Sequence, residues 1–149
     1  MKPLFLETPA GRIFGVYHAP ASDMPDHGDI IFLPPFAEEL NRSRHMINRQ
    51  AVSLTNCGYG VFIPDLYGTG DSEGRFEESG WTAWVQSIVA VQSWLQDQGR
   101  SRISFWAMRT GALLLQDLPL PDTTPFILMW NPVSNGDTFL NQFLRIRVS

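Results

Sequence analysis

The chain has 149 residues, 44% of them hydrophobic and 17% charged, with a formal net charge of −4. That composition fits one packed domain rather than a disordered segment, and the negative charge gives no electrostatic basis for nucleic acid or an anionic membrane as a partner. Cys57 stands alone, which excludes an internal disulfide and a cysteine metal cluster, and no apolar stretch has the length of a membrane span or a signal core.

Pro3 to Glu7 and Arg12 to Ala19 read as a leading antiparallel hairpin turned at Ala10-Gly11. Asp29 to Leu33 is a short continuous apolar run, the mark of a strand buried on both faces, and Pro34-Pro35 ends it. Arg42 to Cys57 is predicted helical, with Met46, Ile47, Ala51 and Leu54 on one stripe and Gly58 as its C-cap. Tyr59 to Ile63 is the next buried strand, and Pro64 to Glu78 is a loop. Ser79 is placed to cap a longer helix, on which Trp81, Trp84, Val85, Ile88, Val91 and Leu95 recur at helical spacing and which Gly99 closes. Trp81 and Trp84 are therefore expected in the core. A strand over Arg102 to Ala107, a short helix over Thr110 to Asp117 and a strand over Phe126 to Trp130 follow. From Gly136 an amphipathic helix runs to the chain end. Strands alternating with helices predict a mostly parallel α/β sheet, and the chain is expected to stop after about the sixth strand of a larger domain.

Three loops after buried strands carry the candidate chemistry, because α/β sheets bind ligands at the C-terminal ends of their strands. Phe36 and Ala37 follow Pro34-Pro35, which have no N–H to offer. The run Asp65-Leu66-Tyr67-Gly68-Thr69-Gly70-Asp71-Ser72 permits a tight reversal in which Asp65 can hold loop amides. Its glycine spacing is wrong for a dinucleotide fingerprint, so the loop reads as structural. The third segment, Ala107-Met108-Arg109-Thr110-Gly111, breaks a strand into a helix through small-x-X-x-Gly.

That last layout resembles the nucleophile elbow of α/β hydrolases. The resemblance implies that Phe36 or Ala37 supplies an oxyanion-hole amide, with Thr110 beside it, and that residue 109 projects above the sheet. Arg109 occupies the place of the nucleophile, and a guanidinium cannot act as one. His18, His27 and His45 all precede the elbow, whereas this fold orders nucleophile, acid, then histidine; all three read as surface or loop residues. Asp137, beside Gly136, reads as a helix cap rather than a triad acid.

More narrowly, the chain resembles the second type of exosortase-A-system-associated hydrolase. Pro34-Pro35-Phe36-Ala37-Glu38-Glu39-Leu40-Asn41 with Arg42-Ser43-Arg44, the turn from Asp65 to Ser72, Trp130-Asn131-Pro132-Val133 with Gly136, and Phe139-Leu140-Asn141-Gln142-Phe143-Leu144-Arg145 carry the likeness. It implies an α/β hydrolase of exopolysaccharide and protein-sorting loci, of which residues 1–149 form the front part of one incomplete domain. Two readings stay open. One is an ester or acyl hydrolase that is not competent as this chain. The other is a non-catalytic protein that binds an anion or a partner through Arg109, whose resting partner would be Glu38, Glu39 or Asp71. The expected setting is the cytoplasm, with no cofactor or metal, a small ester or anionic ligand, and an exposed sheet edge covered by a missing C-terminal part or a second copy.

Overall fold

The computed structural model describes residues 1–36 and 38–148; Ala37 and Ser149 lie outside the described residues, as do the side chains of Glu38, Gln142, Phe143 and residues 145–148. Strands β1 (Lys2–Thr8) and β2 (Gly11–His18) form the leading hairpin. Thr8 ties its turn: the hydroxyl donates to the Gly11 carbonyl at 2.7 Å and accepts from the Ala10 and Gly11 amides. Strands β3 (Gly28–Leu33), β4 (Tyr59–Pro64), β5 (Ile103–Met108) and β6 (Ile127–Trp130) are mutually parallel, and β2 pairs antiparallel with β4. The sheet order is β1-β2-β4-β3-β5-β6, the mostly parallel architecture with a leading hairpin that the sequence predicts.

Every residue of the central strands β3 and β5 is buried, which is why both read as unbroken apolar runs. One face of the sheet, with Ile31, Leu33, Phe105 and Ala107, packs on Ile88, Val91 and Leu95 of helix α2 (Trp81–Asp97). The other face presents Ile30, Phe32, Trp106 and Met108 to Leu40 and Ile47 of helix α1 (Glu38–Thr55). Apart from Ala107, each of these side chains is large and stabilises by roughly 1.5–3 kcal/mol on burial, so the two layers fix β3 against β5. β6 is different. It lies at the sheet edge with Ile127 and Met129 38% and 51% exposed.

Several expected boundaries move. α1 starts at Glu38, four residues before the predicted Arg42, because Glu38 and Glu39 suit the positive end of a helix. Its last turns unwind through Cys57 and Gly58, whose φ of +86° makes the predicted C-cap. Ser79 does not cap α2. Its hydroxyl donates to the Phe76 carbonyl of a preceding 3-10 turn (Phe76–Glu78), and Gly80 takes the cap position without a side-chain bond. The predicted helix after β5 is a 3-10 helix (Arg109–Gln116), and helix α3 (Gly136–Val148) is capped by Asn135 rather than Asp137, since the Asn135 carboxamide accepts the Thr138 amide at 3.0 Å.

At the N-terminal end of the parallel strands, Asp29 has its side chain fully buried. It accepts from the Tyr17 hydroxyl at 2.7 Å and pairs with Arg100, which also bonds Asp26. Burial opposes the charge on Arg100 most strongly, but the bonds to Asp29 and Asp26 outweigh it and hold the guanidinium protonated. Burial and then the bond to Asp29 raise the Tyr17 phenol well above its ordinary value. Among the described residues, no helix is long and apolar enough to cross a membrane, and no three His, Cys, Asp or Glu side chains gather as a metal site.

Candidate functional site

β3 and β5 pair with Leu33 opposite Ala107, so the loops that follow them emerge side by side. At the end of β5 the backbone of Arg109 swings to φ +52°, into the left-handed region, and enters the 3-10 helix at once. Gly111 shows why so tight a turn forms. A Cβ there would sit 2.7 Å from the Leu33 carbonyl carbon and 2.9 Å from the Pro34 oxygen. The helix therefore crosses the end of β3 at backbone contact, and a glycine at this position is what permits it. An L-residue in the left-handed region costs about 1–2 kcal/mol, which the surrounding packing carries.

The Arg109 side chain is pinned from two sides. Its Nε donates to Glu39 Oε1 and its Nη1 to the Asn131 carbonyl, both at 3.1 Å, and the guanidinium lies 6.0 Å from the centre of the Phe139 ring. Its own carbonyl accepts the Val133 amide at 3.0 Å. Of the three expected acidic partners, Glu39 is thus the one engaged, and the Glu38 side chain lies outside the described residues. Asp71 instead turns its amide to Asp65. With side chains 28% and 35% exposed, the Arg109–Glu39 pair contributes at most about 1 kcal/mol. It is easily opened. Glu39 Oε2 is buried with no hydrogen-bond partner among the described residues.

Phe36 donates its amide to Thr110 Oγ1 at 3.1 Å, so Phe36, Arg109 and Thr110 gather at one end of the sheet; Ala37 lies outside the described residues. The amide expected to stabilise an oxyanion is occupied by a neighbouring hydroxyl. Thr110 is only 6% exposed. The second loop is structural, as its residues suggest. Asp65 accepts the Asp71 amide at 3.0 Å and pairs with Arg44 at 3.1 Å. Ser72 donates to the Asp65 carbonyl and accepts the Phe14 amide.

Two cavities flank Phe139. An apolar one of about 390 Å³ is walled by Phe36, Trp81, Trp84, Leu113, Phe139 and Leu140, with Thr110 among its lining. A more polar groove of about 250 Å³ contains Arg109, Asn135 and Thr138. No histidine lines either one. His18 is not at the surface: as part of β2 it is only 8% exposed, and burial lowers its pKa below the ordinary imidazole value. His27, exposed, lies tilted against the Tyr59 ring at 5.5 Å, and His45 is exposed on α1.

The chain order alone did not reveal three of these features. Asn131 has φ +44° and brings its carbonyl to Arg109; the pair Asn131-Pro132 was the available signal, since Asn tolerates that conformation. The Thr110 hydroxyl is the group that accepts the Phe36 amide. Trp81, expected in the core, is 41% exposed and lines the apolar cavity, and its indole donates to Asp117 at 2.7 Å.

No protein-family model and no curated protein matches the sequence. Solved structures do. A candidate α/β hydrolase of unknown function from Agrobacterium tumefaciens superposes with a TM-score of 0.73 at 17% identity, over 93% of this chain and 65% of its own. An α/β serine hydrolase without a lid from Xanthomonas campestris gives 0.65 at 20% identity, over 76% and 52%. An α/β serine hydrolase homologue from Coxiella burnetii gives 0.65 at 17% identity, over 95% and 81%. At these identities the likeness is one of fold. This chain has the α/β-hydrolase fold and spans about half to four fifths of the lengths of these three proteins.

Proposed function

We propose, from the fold shared with these hydrolases, that this chain is a ligand-binding α/β-hydrolase-fold protein that does not itself hydrolyse esters. The observation that carries the reading is the occupant of the strand-to-helix turn. Where that fold mounts a nucleophile stands Arg109, bonded to Glu39 and Asn131, and no histidine lies beside it among the described residues. Kinship with the exosortase-associated hydrolases rests on the residue stretches named above. A cytoplasmic setting belongs to the same proposal, as do small-molecule rather than nucleic-acid partners, the latter supported by the net charge of −4.

A second reading has its own support. Glu39 and Arg109 form a partly exposed, weak pair beside a polar groove, so a carboxylate or phosphate could displace Glu39 and take the guanidinium in bidentate fashion. The test of the main reading compares wild type and Arg109→Ser on a short-chain nitrophenyl ester, with labelling by a fluorophosphonate probe. Neither protein turns over or labels, because a serine at 109 finds no imidazole to take its proton. Labelling of wild type at a defined Ser or Thr refutes the proposal. So does strong turnover by Arg109→Ser.

A further inference from the structure

The apolar cavity beside the turn is lined by a polar side chain with a proton still to give. Thr110, 6% exposed, accepts the Phe36 amide at its Oγ1. A hydroxyl oxygen engaged as an acceptor keeps its own O–H for donation, and accepting one bond strengthens the donor. Among the described residues no acceptor takes that proton. The cavity that Thr110 lines is otherwise walled mainly by carbon, from Phe36, Trp84, Leu113, Phe139 and Leu140 among others.

Charge around the cavity is one-sided. Asp137 contributes to the lining and no Lys, Arg or His does; Arg109 faces the neighbouring groove beyond Phe139. A carboxylate entering here would lose water, meet Asp137 and find no cation, an unfavourable exchange. A hydrocarbon would fit by shape but leave the buried Thr110 proton without a partner, which is also costly. A neutral ligand with one acceptor answers both demands. As to size, a cavity of about 150 Å³ suffices for benzene. The 390 Å³ here holds a ring and a short chain.

Resting on the proposal that this chain binds a ligand, we infer that the apolar cavity is where it does so, that the cavity selects neutral, mainly apolar carbonyl compounds, and that Thr110 Oγ–H is the donor that meets the carbonyl oxygen. Thr110 is then a specificity-determining residue, and the Phe36 amide orients it by holding its oxygen. This chemistry separates the site from the anion groove at Arg109 although the two lie either side of one ring.

Two-dimensional NMR that follows the indole N–H signals of Trp81 and Trp84 tests this with acetophenone, ethylbenzene and benzoate as probes. In wild type, acetophenone binds about five- to tenfold more tightly than ethylbenzene, the worth of one hydrogen bond, and benzoate binds most weakly. Thr110→Val keeps the volume over the Phe36 amide but lacks the hydroxyl, so the two neutral probes become equivalent with ethylbenzene affinity retained. Thr110→Ser keeps the preference and guards against misreading a folding defect in the valine variant. Leu113→Trp fills the cavity and abolishes binding of both neutral probes. An unchanged acetophenone preference in Thr110→Val overturns the role of Thr110 while leaving the cavity as a ligand site. Failure of both neutral probes to bind wild type, or binding indifferent to Leu113→Trp, overturns the site itself. Tightest binding by benzoate, lost in Arg109→Leu, places the ligand in the polar groove instead.

Discussion

A single methyl group added at Gly111 should loosen the fold far more than its size suggests. The Cβ of an alanine there falls 2.7 Å from the Leu33 carbonyl carbon and 2.9 Å from the Pro34 oxygen, and closer still to the Leu33 oxygen. These are backbone atoms. Leu33 belongs to a strand paired on both sides, with β4 and β5, so it cannot rotate away as a side chain would. Overpacking in a dense core costs about 1–3 kcal/mol, and a backbone obstacle puts this case at the upper end, near 3 kcal/mol. Against that, alanine restricts the unfolded chain and returns about 0.4–1 kcal/mol. The net loss is about 2 kcal/mol, or about 4–8 °C in Tm for a chain of this length. Urea and thermal unfolding followed by far-ultraviolet circular dichroism measure it, with Gly136→Ala as the control. A Cβ at Gly136 meets only Leu113 Cδ1, at an ordinary 3.7 Å, so that variant stays within about 0.5 kcal/mol of wild type. Equal stability of the two variants would refute the claim that backbone crossing holds the turn.

Arg100→Ala should cost about 3 kcal/mol in urea melts at neutral pH, because it strands the fully buried Asp29 carboxylate; Tyr17→Phe, which leaves Arg100 in place, should cost about 1 kcal/mol, and a reversed ranking would be inconsistent with the ion pair as the main partner of Asp29. Burial depresses the His18 pKa, so as pH falls the unfolded chain takes up that proton first. Its contribution is complete above pH ~6.5 and is lost as pH falls toward the depressed folded value, and His18→Gln should flatten the stability slope between about pH 7 and 5. The bond from Arg100 and then the Gly28 amide depress Asp26, so its contribution is present above pH ~4 and disappears only below that; an Asp26→Asn variant should lose stability at neutral pH and match wild type in acid. Finally, Ile127 and Met129 on the edge strand β6 should drive self-association, and Ile127→Lys with Met129→Lys should shift sedimentation velocity profiles toward monomer at high concentration; unchanged profiles would acquit that edge.

The sheet could be read from the sequence because its central strands announce themselves. Ile30, Ile31, Phe32 and Leu33, like Phe105, Trp106 and Ala107, form unbroken apolar runs that only burial on both faces explains. The turn at Arg109 was legible for a similar reason: small residues at 107 and 111 mark a close approach, which the Leu33 backbone against Gly111 makes. Helix starts were harder, since Ser79 and Asp137 are good caps by residue type, yet the acceptor actually in reach belongs to Asn135 at α3 and to no side chain at α2. Trp81 sits in a helical apolar stripe, but its place near the start of α2 leaves it over a cavity rather than in the core. Which hydroxyl or carboxylate meets which donor depends on loops folding toward each other across 70 or more residues, as Arg109 does with Glu39, and periodicity carries no information about that.

The left-handed backbone at Arg109 has a consequence for what this scaffold can become. The bend is imposed from outside residue 109, by the crossing of Gly111 over Leu33 and by the Val133 amide on the Arg109 carbonyl. None of those contacts involves the Arg109 side chain. The position therefore behaves as a mounting socket, whose fitting can be exchanged while the socket keeps its shape. The cost of about 1–2 kcal/mol of holding an L-residue there is met by backbone contacts of its neighbours. A lineage could thus exchange a reactive side chain for a guanidinium, or the reverse, by a change at one site, without rebuilding the main chain around it.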